Sequence, residues 1–367
     1  MPTISDVCAY LDRFAPPPLA ADWDNVGLLL GDGAVEAQRV LTCLTVTPAV
    51  VAEAVGERVE IIVTHHPVLF RGAKRLSTDS AEGRLLWPLA RAGIAVYSPH
   101  TAFDNTTGGI NDSLARRLGL TGMFPLRRRD ADRQCKVVVF VPDADLSKVS
   151  DAMFAAGAGV IGQYEQCSFR LRGTGTFFGT ESTNPTVGAK GRREDVSEWR
   201  LEVVCPEAAV GRVVAAMRAA HSYEEPAFDV YPLKSLPGPT GEGRVGDLSS
   251  AMPLRELAAK VRRELSAGAT QMVGEPGREV KRIAIACGAA GEFLPDAVRA
   301  KADVFLTGEM RFHDYLSAEA QEIALILPGH YATERPAVED LATRLQSEFA
   351  GLTVWASRRE RDPVSWV

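Results

Sequence analysis

Residues 39–66 read RVLTCLTVTPAVVAEAVGERVEIIVTHH. A β-branched run at 39–47 leads into Pro48 and an Ala/Val-rich stretch over 48–56, and a second β-branched run follows at 60–64. Proline suits the first helical position, where its missing N–H leaves no bond unmade. The stretch therefore predicts strand, helix, strand, the repeating unit of a parallel α/β sheet. His65 and His66 stand at the end of the second run, with Pro67 after them.

The same alternation extends in both directions. Ile4, Val7 and Leu11 fall on one helical face, Thr3 and Asp6 are spaced as a capping pair, and Pro16–Pro18 closes the element. Downstream come a helix over 79–92, a strand over 94–98 and a helix over 109–118 closed by Gly119. Pro88 inside the first of these predicts a kink or break. Later the pattern resumes, with strands expected at 281–287, 303–307, 323–327 and 352–356. Helices are expected at 253–265, 291–299, 313–320 and 334–348.

The middle of the chain differs. A β-branched run over 135–142, a helix to about 156 and a strand-like run over 164–172 are followed by the same order at 197–205, 206–220 and 226–232. At an offset of 64, residues 142–156 match 206–220 at seven of 15 positions, including Val149/Val213 and Met153/Met217. Two copies of strand–helix–strand suggest a duplicated ferredoxin-like unit, although shared Ala-rich helix composition produces part of such similarity. Residues 235–247, rich in Gly and Pro, read as a linker. The expected architecture is a two-part α/β body with mainly parallel sheets, residues 1–130 and 238–367, interrupted by a ferredoxin-like α+β insertion over 131–237.

Composition excludes several classes. A chain of 367 residues, 46% hydrophobic and 24% charged, buries a large core without disulfide or metal staples and is not disordered. Its 41 Lys and Arg against 47 Asp and Glu leave a net charge of −6, which disfavours nucleic acid and anionic membranes as partners. No apolar run approaches the roughly 18 residues of a membrane span. The start of the chain lacks the basic and apolar regions of a signal peptide. The six cysteines are scattered singly, mostly in or beside apolar runs, as buried thiols in a reducing compartment. A soluble cytoplasmic protein is expected.

Ligands of open α/β sheets bind beyond the carboxyl ends of the strands. His65 and His66 follow one expected strand, His100 and Asp104 the next, and His330 and Glu334 the strand over 323–327. Imidazole and carboxylate at three strand ends form the ligand set of a mixed N/O site for Zn, Mn or Fe. Each motif has a plainer reading. Adjacent histidines arise by chance in about one such chain in twelve, and neighbours on a regular strand face opposite ways. Gly329 and Pro336 suggest that of His330 and Glu334 only the latter is helical. Gly288-Ala-Ala-Gly291 is either an anion-binding helix start or a tight turn. Asp22-Trp23-Asp24-Asn25 offers carboxylates near an aromatic or is a loop anchored by a buried Trp, the reading preferred for Trp23.

Asp22-Trp-Asp-Asn-Val-Gly-Leu28, Val63-Thr-His-His-Pro-Val-Leu-Phe70, His100-Thr-Ala-Phe-Asp104, Thr307-Gly-Glu309 and Gly329-His-Tyr-Ala-Thr-Glu334 occur in this order. The set resembles the GTP cyclohydrolase 1 type 2 homologue family, the dinuclear metal-centre hexameric proteins. The middle segment is similar to the CutA/PII-like insertion of longer members, at His221-Ser-Tyr-Glu-Glu-Pro-Ala-Phe-Asp229, where Ser222 departs from the family's usual Pro. The resemblance implies that His65, His66, Asp104, His330 and Glu334 ligate two divalent ions, Glu334 bridging, in a toroidal homohexamer. His100 and Glu309 match further polar positions around that cavity and are the candidate catalytic residues. His100, with an ordinary pKa of about 6.5, suits proton shuttling. The expected activity is metal-dependent hydrolysis of a nucleotide or phosphoester. The alternative is a non-catalytic regulatory or chaperone-like hexamer with a small-ligand-sensing insertion.

Overall fold

The computed structural model describes residues 1–72, 75–128, 133–234 and 240–366. The chain forms two compact units, one of residues 1–129 with 239–367 and one of residues 130–238.

The first unit carries two principal sheets, and each takes a strand from the other end of the chain. In the first, Ile61–Thr64 lies between Ala95–Ser98 and Arg39–Cys43, all parallel. Gly27–Leu30 joins one edge antiparallel, and Thr353–Ala356, almost at the chain's end, joins the other edge parallel. In the second, Glu279–Ile285, Val304–Leu306 and Ala324–Leu327 are parallel neighbours. Gln271–Val273, Arg244–Pro253 and Thr121–Phe124 are added antiparallel. The first sheet is thus mainly parallel, as expected, whereas the second is mixed, with its three added strands antiparallel, and corrects the expectation there. The strands that change the count are short or poor in β-branched residues and escaped the reading of runs.

One core unites the two ends of the chain in this unit. Ile4, Val7 and Leu11 pack in a cluster with Val63, Leu114, Leu257, Ile283, Ile326 and Leu341. The first helix, Ile4–Phe14, starts with a capping box in which the Thr3 side chain accepts from Asp6 N–H and Asp6 accepts from Thr3 N–H. The helix Ala81–Ala92 runs through Pro88 without the expected break, from its Ser80 cap to Gly93 in left-handed conformation.

The linker reading over 235–247 fails at its end, while its residues 235–239 lie outside the described ones. Arg244 opens a strand paired on both sides, and its side chain is buried. It forms an ion pair with Asp112 and donates to the carbonyl oxygens of Thr106, Gly241 and Gly243 at 2.7–3.0 Å. A charged, Gly-flanked residue looks like a loop only until its partner, over a hundred positions upstream, is known.

In the second unit the order is strand Gln134–Pro142, helix Leu146–Ala155, strands Phe169–Phe178 and Arg193–Pro206, helix Val210–Ala220, strand Phe228–Pro232. The four strands form one antiparallel sheet, with Gln134–Pro142 between Phe228–Pro232 and Arg193–Pro206, and Phe169–Phe178 outermost. Val149, Met153, Val213 and Met217, two of the matched pairs in the repeat, are fully buried in its core. These two pairs close the helices onto the sheet, whereas the matched pairs Ala144/Ala208 and Ala155/Ala219 are exposed. Among the described residues, no helix of the chain is long and apolar enough to cross a membrane.

Candidate metal centre

The strand Ile61–Thr64 ends at the pair His65-His66, and the parallel ladder continues past it, His65 N–H donating to Cys43 O at 2.9 Å and His66 N–H to Leu44 O at 2.8 Å. Despite their adjacency the two rings do not diverge, their centroids being 5.1 Å apart. His100 begins the short helix His100–Asn105, which ends the next strand's connection and carries Asp104 one turn on. Its φ of +26° is rare for a residue with a side chain, the sort of local strain found where a side chain must be aimed. From the second sheet, Gly329 turns with φ +103° and its carbonyl accepts the first helical bond, from Thr333 N–H at 3.2 Å. The helix His330–Glu348 therefore includes His330, correcting the expectation that only Glu334 is helical, and it runs on through Pro336.

Glu334 stands among three histidines. Its Oε2 is 3.1 Å from both His66 Nε2 and His330 Nε2, and its Oε1 is 3.9 Å from His65 Nε2. Two groups of side chains each bring their ligand atoms within 4.8 Å of one another: His65, His66 and His100, and His66, His330 and Glu334. Asp104 belongs to neither group, but its Oδ1 is 3.6 Å from His65 Nε2.

Partners outside the cluster fix the rings. His66 Nδ1 is 2.7 Å from the Thr45 hydroxyl, His100 Nδ1 2.7 Å from Asp24, and His330 Nδ1 2.9 Å from Glu309. Glu309 is thus behind His330 rather than among the inner groups. The Asp24 carboxylate also accepts from Thr101 N–H at 3.1 Å and Thr101 O–H at 2.5 Å. A carboxylate on the outer nitrogen sets the tautomer so that the inner nitrogen offers its lone pair, the common support of a metal-bound imidazole. The sequence marks neither Thr45 nor Cys287 as a site residue, and it points to Gly288 for an anion rather than for this cluster. For Asp24 the available signal was its place in a motif together with Trp23, which is 62% exposed and not the buried anchor expected.

Gly288-Ala-Ala-Gly291 takes neither reading alone. Gly288, with φ +67°, turns the chain against Glu334 and His330, so closely that a Cβ there would overlap the Glu334 carboxylate. Cys287 places its thiol 3.2 Å from Asp104 Oδ1 and donates to it.

Burial and mutual contact shift the titration of the clustered groups in both directions. Burial, reinforced by the Glu334 charge, pushes the Asp104 carboxyl up to about 7. Burial also works against ionised Glu334, but hydrogen bonds from His330 and His66 prevail and hold it well below the usual carboxylate range. The bond to Glu334 raises His330 to about 9. His65 is driven well below 6.5 by burial and then by its histidine neighbours. For His100 burial is outweighed by the Asp24 bond and the result is a raised value.

The residues fit a pair of divalent ions. His65 is almost fully buried, and its Nδ1 has no hydrogen-bond partner, a costly condition that a cation bound at that nitrogen would relieve. The donor set of imidazole and carboxylate suits Zn, Fe or Mn. His65, His66, His100, His330 and Glu334 come together by geometry, with Asp104 beside His65.

The chain is 35% identical over 364 residues to the GTP cyclohydrolase 1 type 2 homolog of Halalkalibacterium halodurans, covering 98% of each. It is 37% identical over 353 residues to that of Mycobacterium tuberculosis, covering 94% of this chain and 92% of the other. Among solved structures, a Bacillus cereus protein related to NIF3 matches with a TM-score of 0.74 at 34% identity, covering 100% of this chain and 99% of that one. A Staphylococcus aureus protein, SA1388, matches with a TM-score of 0.83 at 28% identity over the same shares. The family model described as Duf34/NIF3 (NGG1p interacting factor 3) matches residues 2–363. With its His/Glu clusters at the strand ends, the chain is a metal-binding-type member of the Duf34/NIF3 family.

Proposed function

We propose that the protein is a metal-dependent hydrolase acting on a nucleotide or phosphoester, with two divalent ions held by His65, His66, Asp104, His330 and Glu334. The observation that carries this reading is the position of Glu334, whose two oxygens face different histidines, Oε1 toward His65 and Oε2 toward His66 and His330. A carboxylate so placed could be shared between two ions. Two such ions supply Lewis-acid charge to a scissile phosphoester and acidify water. The chain's own part is to hold the ligands still and to move a proton. Thr45 and Glu309 orient His66 and His330. His100, with Nδ1 on Asp24, presents Nε2 inward, either to accept a proton or to complete the group with His65 and His66.

The names of the relatives favour a nucleotide as the substrate, and the same centre serves any phosphoester. The topology of the second unit supports a ferredoxin-like, CutA/PII-like insertion over 131–237, and membership of the family supports a toroidal homohexamer in the cytoplasm, of about 237 kDa by six chains. The test is a screen of the metal-loaded protein against nucleotides and phosphoesters, with Glu334→Ala as control. Turnover lost in Glu334→Ala supports the hydrolase. Full metal occupancy with no turnover of any compound supports the non-catalytic regulatory alternative.

A further inference from the structure

The cavity beside the candidate metal centre has a volume of roughly 450 Å³, within the usual span of small-molecule sites. His66, His100, Asp104, His330 and Glu334 line one side of it. Another side is aromatic. Trp23 and Phe70 are 62% and 48% exposed, and their ring centroids lie 5.8 Å apart with the planes tilted by 59°. The His100 ring is 6.1 Å from Trp23 and 6.5 Å from Phe70, so the pair adjoins the histidine cluster directly. Both rings belong to the lining of the cavity and keep much of their surface open to solvent. Open π-faces beside a reactive centre suit a flat ring, because every aromatic heterocycle has a face to stack.

The charges lining the cavity limit what accompanies that ring. Asp104, Glu242, Glu292 and Glu334 line it, and among the described lining residues there is no lysine or arginine. Arg127 stands behind this wall, 3.4 Å from Glu242 and stacked over Phe293 at 4.2 Å, with its charge shared between Glu242 and Asp296, the latter at 2.7 Å. Two divalent ions against Asp104 and Glu334 leave a surplus of about two positive charges, which matches the roughly −1.5 to −2 of one phosphate monoester. A triphosphate brings roughly twice as much negative charge. Its excess would face Glu242 and Glu292, with the nearby Arg127 already paired to Glu242 and Asp296.

We propose that this cavity takes an aromatic-ring phosphate monoester of the nucleoside monophosphate class, its ring stacked at Trp23 and Phe70, in preference to a nucleoside triphosphate. The place of the phosphate rests on the dinuclear reading above, whereas the place of the ring rests on the aromatic pair alone.

The experiment is calorimetric titration of the metal-loaded full chain with guanosine 5′-monophosphate, ribose 5-phosphate and GTP. Wild type, Trp23→Ala and Phe70→Leu are compared, with metal content measured for each. Stacking on one aromatic side chain corresponds to about 5- to 150-fold in affinity. The monophosphate is expected to bind wild type at least about fivefold more tightly than ribose 5-phosphate, and GTP no more tightly than the monophosphate. Trp23→Ala should erase the preference for the ringed compound while leaving metal content and ribose 5-phosphate affinity unchanged. Should that variant fail to fold, Phe70→Leu carries the same comparison. Tighter binding of GTP than of the monophosphate, or a ring preference untouched by either substitution, overturns the proposal. Trp23-dependent binding without turnover defeats the hydrolase reading and leaves this one standing. Turnover of ribose 5-phosphate, bound as well as the monophosphate, does the reverse.

Discussion

Gly288→Ala is a one-methyl change that should disable the metal centre. At φ +67° a residue with a Cβ costs about 1–2 kcal/mol relative to glycine. The methyl would lie 3.3 Å from His330 Nε2 and well inside 3.0 Å of Glu334 Oε1, closer than real Cβ atoms come to anything. Gly288 has little freedom to retreat, because its carbonyl accepts from Gly308 N–H at 2.8 Å and from Thr307 O–H at 3.0 Å. The Glu334 carboxylate must therefore shift by several tenths of an ångström, while metal sites hold their ligands to within about 0.2 Å. A displacement of that kind should cost about 10- to 100-fold in affinity, comparable with losing an outer-shell partner, on top of about 1–2 kcal/mol of stability. Competition against a fluorescent zinc chelator measures the first, and urea denaturation of the metal-free protein the second. Gly211→Ala, where a Cβ meets nothing within 4 Å, is the control. Wild-type metal affinity in Gly288→Ala would refute the close packing of this glycine on the ligand set.

Three other perturbations probe the frame. Asp112→Ala strands the buried Arg244 guanidinium without its charge partner and should cost about 3–5 kcal/mol in a urea melt; a loss under about 1 kcal/mol would contradict the ion pair's structural role. Burial opposes ionised Glu53, but bonds from Ser357 O–H at 2.6 Å, Arg358 N–H at 3.1 Å, Trp355 Nε1–H at 3.1 Å and Arg359 N–H at 3.2 Å prevail and hold it below 4.5. Its contribution is present above pH 4.5 and lost as the pH falls below, so the stability gap between wild type and Glu53→Gln should narrow on acidification; a gap constant from pH 7 down to pH of about 3 would contradict this. Replacing residues of about 131–237 by a Gly/Ser linker should leave a body that melts cooperatively by circular dichroism and still binds metal, since the second unit has its own core and every proposed ligand lies outside it. An unfolded product would make the segment part of the body's core.

Legibility followed the range of the interactions. Periodicity over 39–66 carries the central strands of the first sheet because their burial is decided by consecutive β-branched side chains. The edge strand Gly27–Leu30 and the strand Arg244–Pro253 offer no such run. The first opens on a glycine, and the second starts with an arginine buried only because Asp112 meets it. The pairing of Thr353–Ala356 with Arg39–Cys43 joins opposite ends of the chain, which no local pattern records. At the site, histidine scarcity and strand-end position exposed the inner groups, because imidazoles in such places have few other uses. Asp24, Thr45 and Gly288 act through a neighbour's geometry, and residue type alone says little about that. Trp23 was misread for a related reason: a tryptophan is usually buried, and only the fold reveals which one is left open.

The proposed binding of two divalent ions through Glu334 has a direct test. Elemental analysis of the protein purified without chelator, in wild type and in Glu334→Ala with circular dichroism confirming the fold, tests it most directly. Wild type is expected to carry about two divalent ions per chain, and the variant to lose at least one. A folded wild type that takes up no ion at stoichiometric level from a metal-supplemented buffer, or a variant that keeps both, would contradict it.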